Sequence, residues 1–295
     1  MSNTTLERMV QDIQELPLLP TVVGKLLDVI GDPQSELRDV ACIISKDQTL
    51  TAKVLKLVNS AFYGFSSKIS TISRAVVILG YNTIKHLVLG LSVIGIIKDR
   101  DSCSHFNGTM FWEHSLGCAA CARLIAKRIG YAQPEEAFTA GLLHDIGKVI
   151  FDRHFSNDFN QVMECMERDH ISMIDAEEKI LGVTHPMMGE WLAKTWKLPP
   201  VLCDSIRYHH SPPISDKKIN ESAVMCSSIV HISNILCKIE KSETIDLEGI
   251  QSIDSEIWKC VNIEEIKGET ILVEIDEEIE KSKVFFGIGE ETESK

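Results

Sequence analysis

Apolar residues in this chain recur every three or four positions and almost nowhere alternate, a pattern that selects helices over strands. In "TVVGKLLDVIGDP" the spacing of Val22, Val23, Leu26, Leu27 and Ile30 predicts one amphipathic helix, stopped by Gly31 and Pro33. "ELRDVACIIS" predicts a second. "DQTLTAKVLKLVNSAFYG" predicts a third, with Leu50, Val54, Leu57 and Val58 on one side and Gly64 at its end. "STISRAVVILG" adds a fourth, capped by Ser70 or Thr71 and stopped at Gly80. A fifth, from about Thr83, completes a first all-α unit, and the polar "DRDSCSHFNGTM" marks a seam. Beyond it "FWEHSLGCAACARLIAKRIG", "PEEAFTAGLLHDIGKVIFDRHF", "THPMMGEWLAKTWKLPPVLCDSIRYHH" and "ESAVMCSSIVHISNILCK" predict further helices with short connectors. The expected fold is therefore all-α, without an internal repeat.

Charge and length narrow the functional classes. The formal net charge is −13, and residues 241–295 carry sixteen Asp or Glu against six Lys. No basic patch for a phosphate backbone is evident, so general nucleic-acid binding is disfavoured. The acidic "ETILVEIDEEIEKSKVFF" is expected to form helix with a solvated surface rather than a core. "TIKHLVLGLSVIGIIK", residues 83–98, falls short of the roughly 20 residues a membrane span needs and is interrupted by Lys85 and His86. It reads as a buried helix. "MSNTTLERMVQDIQ" lacks the form of a secretory leader, and nine scattered cysteines suit reduced thiols, so a cytoplasmic protein is expected. Cys118 and Cys121 have CxxC spacing without a second pair nearby, which fits helix interior better than a zinc knuckle.

The stretch "AGLLHDIGKVIF", residues 140–151, places His144, Asp145 and Lys148 among residues that favour burial. Buried charge is costly unless it is paired or bound to metal. On a helix, Asp145 and Lys148 fall one turn apart with His144 beside them. Histidine with carboxylate suits Fe, Mn, Zn or Ni rather than Ca or Mg alone. An HD dipeptide alone is weak and fits a structural pair better, but His114, His185 and the adjacent His209 and His210, before Pro212 and Pro213, extend the pattern. His86, His105, His154 and His170 are expected to be surface or structural residues. Trp191 and Trp196 are expected in the core. Asn59 is expected to be buried at a helix end, capping backbone.

Together, "LPLLPTVVGKLLDVIGDP", "ISKDQTLTAKVLKLVNSAFYG", "ISTISRAVVILGYNTIKHLVLGLSV", the HD region and "HHSPP" resemble the HDOD family, the HD-related output domain of bacterial signalling proteins, over about residues 14–213. The resemblance implies an N-terminal helical subdomain (14–100) packed on an HD-like bundle (101–240, running past the family match), followed by an acidic helical extension (241–295). HDOD proteins belong to the wider HD superfamily of metal-dependent phosphohydrolases, and most have lost part of its metal site, so fold alone does not carry activity. At His114, His144, Asp145, Lys148, His185, His209 and His210 this chain is similar to the HD-GYP phosphodiesterases. That similarity implies that Asp145 bridges two metals. It also implies that His114 and His144 hold the first, that His185, His209 and His210 hold the second, and that Lys148 faces a substrate phosphate. Paired metals lower the pKa of a shared water and align in-line attack on phosphorus, and a nearby lysine offsets charge on the phosphoryl oxygens.

Three departures stand beside the match. The last carboxylate of the HD pattern falls at Asn234, a weaker neutral ligand; "SPPISDKK" replaces the GYP loop; and Met110 stands where some relatives place an extra glutamate. His231, three residues before Asn234, is expected to be an ordinary core or surface histidine. Two readings follow. One is a regulatory protein acting through protein partners in signalling, with one or two divalent ions. The other is an active phosphohydrolase on a nucleotide or phosphodiester, with Asp145 and Lys148 as catalytic residues. No receiver, GGDEF or kinase segment is visible, so any signal is expected to pass through a separate partner.

Overall fold

The computed structural model describes residues 2–13, 19–31, 35–98, 106–240, 253–262 and 269–284. Among them every regular element is a helix. After α1 (Ser2–Asp12), the helices α2 (Thr21–Gly31), α3 (Leu37–Ser45), α4 (Gln48–Val58), α5 (Ile72–Leu79) and α6 (Tyr81–Lys98) follow the apolar spacing read above. Val23, Leu26, Val40, Ile44, Val54, Leu57 and Val76 are all buried, so the stripes meet in one core. Local chemistry sets the ends. Asp47 accepts the Leu50 N–H at 2.9 Å, and Thr71, not Ser70, accepts the Arg74 N–H at 3.2 Å. Gly80 closes α5 at φ +80°, where an L side chain would be strained, and lets the chain turn by 119° into α6.

Asn59 caps backbone as expected, but from an exposed position. Its Nδ2 donates to the Leu55 and Ile69 carbonyls at 2.8 and 2.7 Å, and its Oδ1 accepts from Ile69 N at 2.7 Å. The amide thereby pins the chain before α5 to the end of α4. Helix α6 is buried nearly all round from Ile84 to Val93, as its composition requires. No single helix among the described residues is long and apolar enough to cross a membrane. His86, on α6, is buried rather than on the surface, and burial, with Lys85 adding repulsion, pushes its pKa down to about 3.

The next helices are α7 (Gly108–Arg128), α8 (Pro134–Leu143), α9 (Ile146–His154), α10 (Ser156–Asp169), α11 (Met173–Ile180), α12 (His185–Thr195), α13 (Pro200–Tyr208) and α14 (Glu221–Glu240). Helix α7 is the axis on which α8 and α14 pack, while α6 packs on α8 and joins the two groups of helices. Its small residues allow the close approach: a Cβ at Gly141 of α8 would stand 2.8 Å from the Ala119 Cα. Cys118 and Cys121 are fully buried inside α7. Trp196 is buried and Trp191 half-buried at the edge of the core.

Two further helices, α15 (Ser255–Val261) and α16 (Glu269–Ser282), come from the acidic C-terminal part. The expected solvated surface fits Glu277 and Glu280, which are exposed, but Ile275, Glu278 and Ser282 are buried. Helix α16 lies against α7 because its carboxylates meet arginines there, a match that charge content alone does not reveal. Residues 241–252, 263–268 and 285–295 of that acidic part, and His105, lie outside the described residues.

Candidate metal centre

The HD pair does not sit inside one helix. Helix α8 ends at Leu143, His144 is its C-cap, and Asp145 is the N-cap of α9 with φ −99° and ψ 9°. That bridge conformation is common at turns and active sites. The break turns both side chains inward, and Lys148 follows within the first turn of α9. His114 comes from α7, His185 opens α12, and His209 and His210 end α13.

Two groups of side chains meet at Asp145. His114, His144 and Asp145 form one; Asp145, His185, His209 and His210 form the other, and in each the ligand atoms lie within 4.8 Å of one another. Asp145 serves both with different oxygens. Its Oδ2 stands 3.3 Å from His144 Nε2, 3.9 Å from His114 Nε2 and 2.6 Å from Lys148 Nζ. Its Oδ1 stands 3.1 Å from His185 Nε2 and 3.5 Å from His209 Nε2. All six His and Asp positions singled out in the sequence thus come together, with Lys148 at their edge.

The tautomers follow from fixed acceptors. His144 Nδ1 is 2.7 Å from the Gly141 carbonyl, and His209 Nδ1 is 2.8 Å from the Ile206 carbonyl. A carbonyl only accepts, so each Nδ1 carries its proton and each Nε2 presents a lone pair. His185 is held likewise: its Nδ1 lies 2.8 Å from Glu177 Oε2, and the same carboxylate oxygen accepts its backbone N–H at 2.8 Å. The Nε2 atoms of His185 and His209, both presenting lone pairs, are 3.4 Å apart and stand 3.1 and 3.5 Å from Asp145 Oδ1, with His210 Nε2 3.1 Å from that of His185. Acceptors facing acceptors at this range repel, and a cation among them removes the conflict. His144 Nε2 and Asp145 Oδ1 are accordingly buried with no hydrogen-bond partner. The donor set therefore fits a divalent ion.

Protonation agrees with that fit. Burial pushes His209 down to about 3, and burial together with His209 and His185 pushes His210 lower still. Burial opposes ionisation of Asp145, but the positive charge beside it, with Lys148 Nζ at 2.6 Å, holds its carboxyl well below the usual range. Neutral imidazoles and an ionised carboxylate are the forms metal ligation requires.

Asn234 lies on α14, buried, and its Oδ1 has no hydrogen-bond partner. One turn earlier His231 places Nδ1 2.8 Å from the His209 carbonyl, so it supports the ligand-bearing turn rather than standing apart. Met110 is 59% exposed on the first turn of α7. Two supporting residues escaped the sequence reading. Glu177 is fully buried and orients His185; its signal was a glutamate in the stripe formed by Met173, Ala176 and Ile180 on α11. Gly147 was the other: a Cβ there would stand 2.0 Å from the His185 carbonyl oxygen, so only glycine lets α9 cross α12 this closely.

Comparisons with known proteins agree with this architecture. The HDOD domain model matches residues 16–212. An uncharacterized protein of Treponema pallidum (strain Nichols) is 27% identical over 202 residues, covering 68% of this chain and 39% of that protein. Ribonuclease Y of Mycoplasma mycoides is 27% identical over 157 residues, covering 51% of this chain and 29% of that enzyme. The chain thus spans well under half the length of these curated relatives. The crystal structure of an HDOD domain protein with unknown function from Geobacter sulfurreducens is 27% identical, covers 97% of both chains and superposes with a TM-score of 0.77.

Proposed function

This chain belongs to the HDOD domain family, and from that premise we propose that it is a regulatory protein of bacterial signalling, acting through protein contacts and holding divalent metal at Asp145. The observation that carries the metal is the meeting of lone pairs from His185 and His209 at one oxygen of Asp145, with His210 in the same cluster. His185, His209 and His210 would hold one ion and His114 and His144 another, with Asp145 shared and Asn234 as a neutral neighbour. What supports regulation over turnover is Asn234: if it takes the place of the last HD carboxylate, as the resemblance implies, its amide would leave the His114 side with one negative charge fewer to hold a cation. Contacts through the N-terminal helices are supported by Leu37, Val77 and Ile78, which are 47%, 72% and 44% exposed. Leu37 and Val77 flank an open cavity of about 610 Å³.

A second reading, hydrolysis of a phosphodiester, is favoured by Lys148, whose ammonium reaches the shared carboxylate at 2.6 Å. Bound metal would supply Lewis acidity and an activated water. Lys148 would offset charge on a phosphoryl oxygen, and Glu177 would keep His185 in register. One experiment separates the readings: metal analysis of the purified chain, with bis(p-nitrophenyl) phosphate turnover measured with Mn or Fe added. The regulatory reading expects bound metal and a rate near background. It also expects Asn234→Asp to raise metal content and Asp145→Ala to abolish it. A clear rate in the unaltered chain, lost in Asp145→Ala, would establish the hydrolase. Absence of metal under all conditions would remove both.

A further inference from the structure

Helix α16 lies along a face of α7 that carries three cations within six residues, Arg123, Lys127 and Arg128. Glu278 accepts from Arg123 Nη1 and stands 4.0 Å from Lys127 Nζ, and Glu274 accepts from Arg128 Nε at 3.1 Å. Ile275 is buried between these carboxylates. Ile279, one turn on, comes within reach of Gly117, the turn of α7 that follows His114. The face therefore reads a specific pattern: carboxylates four residues apart, each followed by an isoleucine.

Three features make this occupancy easy to exchange. Arg123 is already paired through Nε with Glu135 at 2.7 Å, so Glu278 is not needed to neutralise it. Burying that extra carboxylate carries a desolvation cost that largely offsets its attraction. The flanking pairs are open to water, since the side chains of Lys127 and Glu274 are 46% and 38% exposed, and such pairs hold weakly. On the apolar side the described grip rests on Ile275 and Ile279, while Val273 is 59% exposed.

We propose that this face of α7 is a docking seat for an acidic amphipathic helix of a partner protein, and that α16 is the chain's own occupant, a latch that such a helix displaces. Displacement conserves every interaction type, because the incoming carboxylates and isoleucines replace equivalent groups. It is also independent of whether the Asp145 centre turns over a substrate.

The test uses the full chain. Hydrogen exchange followed by mass spectrometry should show α16 amides exchanging about 100-fold faster than those of α14, through local opening. A labelled peptide of residues 269–284 should bind the full chain carrying Glu274→Gln and Glu278→Gln about tenfold more tightly than the unaltered chain, and lose affinity as salt rises. Protection of α16 equal to that of α14 in the unaltered chain would overturn the latch, whatever the variant does. Failure of the peptide to prefer the variant would overturn the seat. Displacement of the peptide by a single-stranded oligonucleotide of equal charge would show that the face reads charge alone and would overturn its assignment to a helix.

Discussion

Asp145 divides its two oxygens between different neighbours, Oδ2 facing His114, His144 and Lys148 and Oδ1 facing His185 and His209. That division was expected from a family resemblance and rests on single side chains, so it is tested at single residues. Glu177 is the sharpest case. Its carboxylate fixes the tautomer of His185 and accepts the N–H that opens α12, where Thr184 makes no side-chain cap. Glu177→Gln keeps the size but replaces one oxygen with an amide that donates, so His185 loses its fixed orientation and some basicity. Metal affinity should fall roughly 10–100-fold, read by competition with a chromophoric chelator, while the helical circular dichroism stays unchanged. Undiminished affinity would reduce Glu177 to a helix cap.

Elements were more legible than their junctions. Helix stripes and caps were readable because both are set within one or two turns of chain. The "AGLLHDIGKVIF" run breaks at His144 and Asp145, whose ring and carboxylate meet side chains from other helices, contacts that local periodicity does not encode. The crossing of α9 and α12 is likewise a property of two elements. Gly147→Ala would place a methyl 2.0 Å from the His185 carbonyl oxygen and 2.8 Å from Gly189 N, both backbone atoms with little room to yield. The helices must then separate and carry His185 away from Asp145. Loss of roughly 1–3 kcal/mol in urea unfolding is expected, together with loss of metal. Normal stability with normal metal content would show that the crossing tolerates more space than its geometry indicates.

At the scale of the whole molecule, Arg123 gathers distant parts of the chain. Its guanidinium lies 3.9 Å from the centre of the Phe62 ring in the "NSAFYG" segment, pairs with Glu135 on α8, and meets Glu278 on α16. Arg123→Ala leaves Glu135 and Glu278 buried without that partner, and breaking a buried pair from one side costs about 3–5 kcal/mol. Chemical unfolding should show that loss as a shift of one cooperative transition, because buried residues from Val23 to Ile275 belong to one continuous core. Two separated transitions in the unaltered chain would instead mean that the N-terminal helices unfold alone. Sequence by itself determined the helical class, caps such as those of α5 and the residue types of the candidate metal centre, since periodicity, capping and ligand chemistry reside in short stretches. Only tertiary structure decided that Glu177 orients His185, that His231 supports His209, and that an acidic helix belongs on α7. Those contacts join residues 8 to 155 positions apart, and nothing periodic in the chain announces which carboxylate will meet which cation.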